Sequence, residues 1–308
     1  AKYPNARVKI EYQVGDYSEK MYTMVAAGTL PDVVWTCDVF TFPFARRKVL
    51  LDMQPLAESD TEFDLNDIYP SILELGRVAG EPGLYMIPAS LDVVVMFYNK
   101  TAFEKAGAPL PTNTWSWDQM IEASQLVTAE KDADGKPKMY GWDGAAWSWI
   151  AIWGAWVHGY GGDIMSADRK TSTFSRPETL AGLQAYVDLW NKHGIAKPLG
   201  VDVGGDAFLL EKSATTLNIP GMCVSYRENI GDKFEWDVAP LPNKDANTPG
   251  VPVTSGNPNF VPKASKNAEA GYKWIAFLAS QETQDLFAKT KVLVPSMTSA
   301  TNGSESVV

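Results

Sequence analysis

Residues 84–107 read LYMIPASLDVVVMFYNKTAFEKAG. Within them VVVMFY carries β-branched, sulfur-containing and aromatic side chains and no charge, the pattern of a strand covered on both faces. Such a strand belongs inside a sheet. It stops at Asn99, Thr101 opens a short helix over AFEKA, and Gly107 supplies the residue type that ends helices. One carboxylate, Asp92, enters the apolar run from PASL, which holds no other charge. The group that this carboxylate faces is the central question for function.

The chain has 308 residues, 45% hydrophobic and 21% charged, which suits a water-soluble globular protein of two ordinary domains or one large one. Its 27 Lys and Arg stand against 37 Asp and Glu, a formal charge of -10, with no long basic run. That excludes a phosphate-tracking surface, so nucleic acid is not an expected partner. No run of about 18 apolar residues could cross a bilayer, and no charged start with an apolar core marks a signal peptide. Direct membrane insertion is not expected, and any export signal is expected to have been removed. Cys37 and Cys223 read as separate thiols. The 11 Trp are a high count, and their flat amphipathic faces suit a binding cleft.

Outward from the central stretch, strand and helix alternate. VKIEY alternates apolar and polar residues as a strand does, residues 17–27 have helical spacing before Gly28, and LPDVVWT supplies another strand. That order predicts an α/β sheet with helices on its faces. Ligands in such sheets sit beyond the carboxyl ends of strands, where Trp35, Thr36, Cys37 and Asp38 fall. FARRKVLLDMQPL reads as a helix and loop, and LNDIYPSILELGRV as a helical segment interrupted by Pro70. Ser116 with Gln119 forms a capping box for a helix through Val127, and Ser175 with Glu178 forms another. KDADGKPK is a turn cluster. Asp132, Asp134 and Gly135 give it the look of a calcium loop, but it has too few ligands and lacks a closing Glu, so no metal is expected. Trp142, Trp147, Trp149, Trp153 and Trp156 follow within fifteen residues. Most read as core packing, with Trp147 the best placed to meet a ligand. WDVAPLP is a further strand, TSGNPN reads as a flexible polar bridge, and two amphipathic helices precede VLVPS and a polar tail. Nothing forms a phosphate loop, a nucleophile elbow or an internal repeat.

YPNARVKI, AAGTLPDVVW, the central stretch, TWSWDQM, GYGGDI, FLLEKSA, WDVAPLP and PKASKNAEAGYKWIAFLASQETQ with its later VP occur in an order and spacing that cover nearly the whole chain. In these pieces the sequence resembles the extracellular solute-binding proteins of carbohydrate ABC importers, the family that includes maltose-binding protein. The resemblance implies a type II two-lobed periplasmic-binding fold, with a ligand cleft between lobes joined by hinge strands. It puts DVVVMFY and TSGNPN at the two crossings. The first lobe would then be residues 1–90 plus 259–295, and the second 91–258 plus 296–308. In the family a strand and helix precede YPN and a helical segment follows the VP, so the chain is expected to lack both. At FLLEKSATTLNIPGM, Glu211 replaces a family Gly, and Ile219, Pro220 and Gly221 fall where a Gly and a sugar-stacking Trp stand. Met222, Tyr226 or Arg227 could fill that place.

The implied function is non-catalytic capture of a sugar or oligosaccharide and delivery to ABC permease subunits, by a monomer with no cofactor. The implied location is periplasmic or extracellular, with lipid anchoring of a full-length protein open. Carboxylates suit sugar hydroxyls and rings suit sugar C–H faces, so Trp35, Thr36, Asp38, Asp92, Trp147, Trp149, Tyr226, Arg227, Gly256, Asn257 and Asn259 are the candidate ligand residues. A structural alternative for Asp92 is a hinge carboxylate accepting backbone N–H bonds. For the same fold the alternative ligand is a polyamine, peptide or other non-sugar solute. A hydrolase with paired carboxylates, drawn from Asp38, Asp92, Asp143 and Asp163, is the rival from another class, but no spacing singles out a pair.

Overall fold

The computed structural model describes residues 6–13, 17–143, 150–168, 170–201, 203–248, 250 and 254–302. Its elements run α1 (Tyr17–Ala27), β1 (Val34–Trp35), α2 (Thr41–Arg46), α3 (Gln54–Ser59), α4 (Pro70–Leu73), β2 (Ile87–Val93), β3 (Val95–Asn99), α5 (Lys100–Lys105) and α6 (Trp117–Thr128). They continue with α7 (Ile150–Gly159), α8 (Pro177–Asn191), β4 (Thr215–Asn218), α9 (Met222–Ile230), β5 (Trp236–Ala239), β6 (Thr254–Phe260), α10 (Ala268–Leu278), α11 (Gln281–Thr290), β7 (Val294–Pro295) and α12 (Thr298–Asn302). The contacts divide the chain into two compact units. The first takes the residues up to Leu91 and those from Ser255 onward, and the second takes Asp92–Thr254.

The first unit is built on a four-stranded sheet in the order β1, β6, β2, β7. TSGNPN, expected to be a flexible bridge, is the interior strand β6 of this sheet. Its residues are small or amide-bearing, so they carry no strand periodicity, yet Ser255, Gly256 and Asn259 are buried by their neighbours. Below the sheet, Met53, Ile68, Leu84, Ile87, Val261, Tyr272 and Ile275 form an apolar core. Pro70 does not interrupt a helix: it stands in the first turn of α4, where a missing N–H costs nothing. Ser296 Oγ donates to the Pro88 carbonyl at 2.9 Å, and Met297 bridges Ile68. These contacts put residues 296 and 297 in the first unit, whereas the expected assignment gave residues 296–308 to the second. VKIEY does not form the expected strand. Val8, Ile10 and Tyr12 are 52%, 82% and 86% exposed, and no strand among the described residues ladders with the segment.

The central stretch forms two strands rather than one. β2 closes in the first unit's sheet, and after Val94 the chain resumes as β3, the middle strand of the second unit's sheet, ordered β4, β3, β5. Phe97 pairs with Thr216 on one side and Val238 on the other, both antiparallel. This double coverage explains the charge-free run. Asn99 caps α5, its Oδ1 accepting the Ala102 N–H at 2.8 Å, and Gly107 has the left-handed φ of +65° that the sequence requires. The Ser116–Gln119 capping box forms with both reciprocal bonds, at 3.1 and 2.9 Å. The box expected at Ser175 and Glu178 does not form. Arg176 is the N-cap of α8 without a side-chain bond, and Pro177 sets the helix start.

Candidate ligand-binding site

In the first unit the site residues gather at the carboxyl end of β1. Antiparallel register sets Trp35 opposite Asn259, and the Thr36 N–H donates to the Pro258 carbonyl at 3.0 Å. Trp35 is 45% exposed and Thr36 is buried, with Cys37 and Asp38 half-buried. Asp38 opens a single 3-10 turn, Asp38–Phe40, whose N-cap is Cys37. The Tyr17 hydroxyl donates to Cys37 Sγ at 3.1 Å. Burial and Cys37 push the Tyr17 phenol above its ordinary value, while the Thr36 hydroxyl works the other way, so the phenol stays protonated.

β6 supplies the amides beside this strand end. Asn259 is fully buried and its Oδ1 has no hydrogen-bond partner among the described residues, while its Nδ2 reaches the Asn257 carbonyl only at 3.5 Å. An unmet buried acceptor costs free energy until something donates to it. Asn257 Nδ2 donates to Ser90 Oγ at 3.2 Å, tying β6 to β2. Gly256 is packed so that an added Cβ would stand 3.2 Å from Leu75 Cδ1. Asp92 lies near the end of β2, half-buried, where the chain leaves the first unit.

The second unit holds a separate polar cluster. Trp142 bridges Ala196, which brings Asp143 beside Lys197, and the Asp143 N–H donates to the Thr215 carbonyl at 3.2 Å. Asp143 Oδ1 stands 3.9 Å from Lys197 Nζ, and their side chains are only 16% and 14% exposed. Thr216 Oγ1 is 3.5 Å from the other Asp143 oxygen, the outer limit of a hydrogen bond. Burial raises the Asp143 pKa; Lys197 opposes the shift and Asp206 adds to it. Asp206 in turn caps a turn by accepting the Phe208 and Leu209 N–H groups at 2.8 and 3.1 Å, and Tyr226 donates to its second oxygen at 3.1 Å. Tyr226 is wholly buried among Phe97, Phe208 and Trp236, and burial followed by Asp206 holds its phenol far above the ordinary value. Arg227, the next residue on α9, is exposed.

The structure thus brings Trp35, Thr36, Asp38, Gly256, Asn257 and Asn259 into one unit, and Tyr226 and Arg227 onto one helix of the other. Trp147 and Trp149 lie outside the described residues. Of the rest of the tryptophan run, Trp142 and Trp156 are core, and Trp153 is half-buried against the exposed Phe174. The sequence singles out Asp143 only as one of four acids for a rival hydrolase and gives no sign of Lys197, Asp206 and Thr216 beside it. The signal available was Asp206, a carboxylate two and three residues before the backbone N–H groups it caps. Among the described residues no group of three or more His, Cys, Asp or Glu is placed to hold a metal ion.

The family model for bacterial extracellular solute-binding proteins matches residues 1–285. The chain belongs to that family. Among its curated relatives is the sn-glycerol-3-phosphate-binding periplasmic protein UgpB of Pectobacterium atrosepticum, 26% identical over 289 residues, covering 87% of this chain and 62% of the relative. Another is the maltodextrin-binding protein MdxE of Bacillus subtilis, 22% identical over 298 residues, covering 94% and 66%. The chain therefore spans about two thirds or less of the length of these solute-binding relatives. Among solved structures, UgpB of Mycobacterium tuberculosis in complex with glycerophosphocholine superposes with a TM-score of 0.82 at 22% identity, covering 98% of this chain and 74% of that one. An ABC substrate-binding protein of Listeria monocytogenes in complex with cycloalternan gives 0.79 at 23%, covering 92% and 70%. The fold of this chain is the α/β, type II periplasmic-binding fold.

Proposed function

We propose that the chain captures a sugar or oligosaccharide and delivers it to the permease of an ABC importer. The observation that carries this reading is Trp35, an exposed ring at a strand end flanked by Thr36 and Asp38, in a member of the solute-binding family. A ring with neighbouring hydrogen-bonding groups matches a sugar's C–H face and hydroxyls. The candidate groups of the first unit are Trp35, Thr36, Asp38, Gly256, Asn257 and Asn259, and Asp92, Tyr226 and Arg227 are candidates within the second. No catalytic step is proposed, and the protein acts outside the cytoplasm as a monomer. The names of maltodextrin-binding and maltooligosaccharide-binding relatives support the ligand class.

Titration calorimetry with a maltooligosaccharide series, with sn-glycerol 3-phosphate and with a polyamine tests the reading. Saturable heat with the sugars is expected. Binding confined to the phosphate ester or to the amine sinks the carbohydrate assignment and leaves the solute-binding class standing. Asp92→Asn is expected to weaken sugar binding by about 1 to 3 kcal/mol with little loss of stability. Lost stability at unchanged affinity would make Asp92 a structural carboxylate.

A further inference from the structure

Tyr12 and Ile10 are the two most exposed large apolar side chains among the described residues, at 86% and 82%, and Val8 beside them is 52% exposed. All three lie in the first unit within residues 7–12, RVKIEY, with which no strand among the described residues ladders. We propose that this segment is a self-recognition strand. Two copies of the chain pair through it in antiparallel fashion, with Ile10 opposite the partner's Ile10 and Lys9 opposite the partner's Glu11.

The segment is already shaped for pairing. Successive side chains of an extended chain point to opposite faces, so Val8, Ile10 and Tyr12 share one face and Lys9 and Glu11 the other. Lys9 Nζ meets Glu11 Oε1 at 2.6 Å, in keeping with that alternation. Lys20 of α1 donates to Gln13 Oε1, which ties the end of the segment to the first unit. Among the described residues, no backbone hydrogen bond engages residues 7–12. An extended segment with open N–H and C=O groups and an apolar face is a template for another strand.

Charge and register make a second copy the matching occupant. Antiparallel pairing about Ile10 sets Lys9 against the partner's Glu11 and Glu11 against the partner's Lys9, an alternating square of charge. On the other face Val8 meets the partner's Tyr12, an aromatic with a β-branched side chain, and the two Ile10 side chains meet each other. A slip of two residues puts Lys9 against Lys9 or Glu11 against Glu11. A slip of one sets charged side chains opposite apolar ones, and parallel in-register pairing makes both like-charge contacts. The remaining register satisfies both faces, and its two-fold symmetry closes on a dimer. A ribbon this short buries far less than the roughly 1,200 Å² of a stable interface, so the pairing is weak and reversible and the dilute protein is the monomer.

The test is sedimentation equilibrium of the whole chain at low ionic strength, over about a hundredfold range of concentration. The mean mass of the wild type should rise with concentration from the monomer value toward twice it. K9E and E11K should each stay monomeric when alone, because like charges then face each other across the pair. An equimolar mixture of K9E and E11K should associate again, since one strand is then acidic and the other basic. The double variant K9E/E11K should pair as the wild type does. These side chains lie outside the apolar cores, so unfolding midpoints should match the wild type and show that each variant is folded. A wild-type mass that is constant with concentration overturns the proposal. So does K9E that associates like the wild type, or a mixture no more associated than its components. The proposal does not rest on the carbohydrate reading, and sugar binding should be unchanged in every variant.

Discussion

Asp143 and Lys197 face each other at 3.9 Å in the second unit, both nearly closed off from water. Burial outweighs the lysine and raises the carboxyl's pKa. A group whose pKa is higher folded than unfolded binds its proton more tightly in the native state. Stability is then lost as pH rises from the unfolded value of about 3.9 through the raised native value, and the loss is constant above it. Asp143→Asn removes that penalty, so its melting temperature should gain on wild type as pH rises above about 4. Calorimetric scans across that range check the sign. A wild-type advantage that grows with pH would mean that the lysine pairing outweighs burial.

Gln284 is the tie of the first unit. It is fully buried, its Nε2 donates to the Ala89 and Leu278 carbonyls at 2.6 and 2.9 Å, and its Oε1 accepts the Ser296 N–H at 2.7 Å. It therefore joins β2, the end of α10 and the residue after β7. Gln284→Leu leaves three buried backbone groups without this partner, each costing about 1 to 3 kcal/mol. Urea unfolding should show a loss of roughly 3 kcal/mol or more. A loss under about 1 kcal/mol would mean that water replaces the amide.

The central stretch was legible because chemistry and geometry coincide there: a charge-free run sits between two neighbouring strands, Asn99 caps a helix and Gly107 ends it. The Ser116–Gln119 box was legible for the same local reason. β6 was not, because Ser, Gly, Asn and Pro carry turn statistics, and only β1 and β2 on either side make TSGNPN a strand. The Asp143 cluster was hidden more deeply. Its partners Lys197, Asp206 and Thr216 are distant in sequence and meet through isolated bridges that leave no periodic trace.

Trp117 and Trp156 stack with ring centroids 3.7 Å apart, and Trp142 meets both edge-on. All three indoles are buried. Trp156→Ala should cost about 3 to 5 kcal/mol of stability, with sugar affinity in the surviving native fraction unchanged. Chemical unfolding and calorimetry separate the two effects. Weaker binding at unchanged stability would return this ring to the ligand surface.

Trp35 should behave in the opposite way. With 45% of its surface exposed, the ring contributes little to the core, so Trp35→Ala should lower stability by less than about 1 kcal/mol. Stacking on a sugar face is lost with the ring, and affinity should fall about tenfold or more, equivalent to about 1.4 kcal/mol. Trp35→Phe keeps a flat apolar face and should recover much of that loss. Asp38, on the turn that follows β1, offers the second arm of the comparison: Asp38→Asn should weaken binding without the phenylalanine rescue, because a hydroxyl acceptor is changed rather than a stacking surface. Calorimetric affinities for the three variants, set against their unfolding midpoints, decide the assignment. A melting temperature that drops several degrees at constant affinity would make Trp35 a packing residue of the first unit.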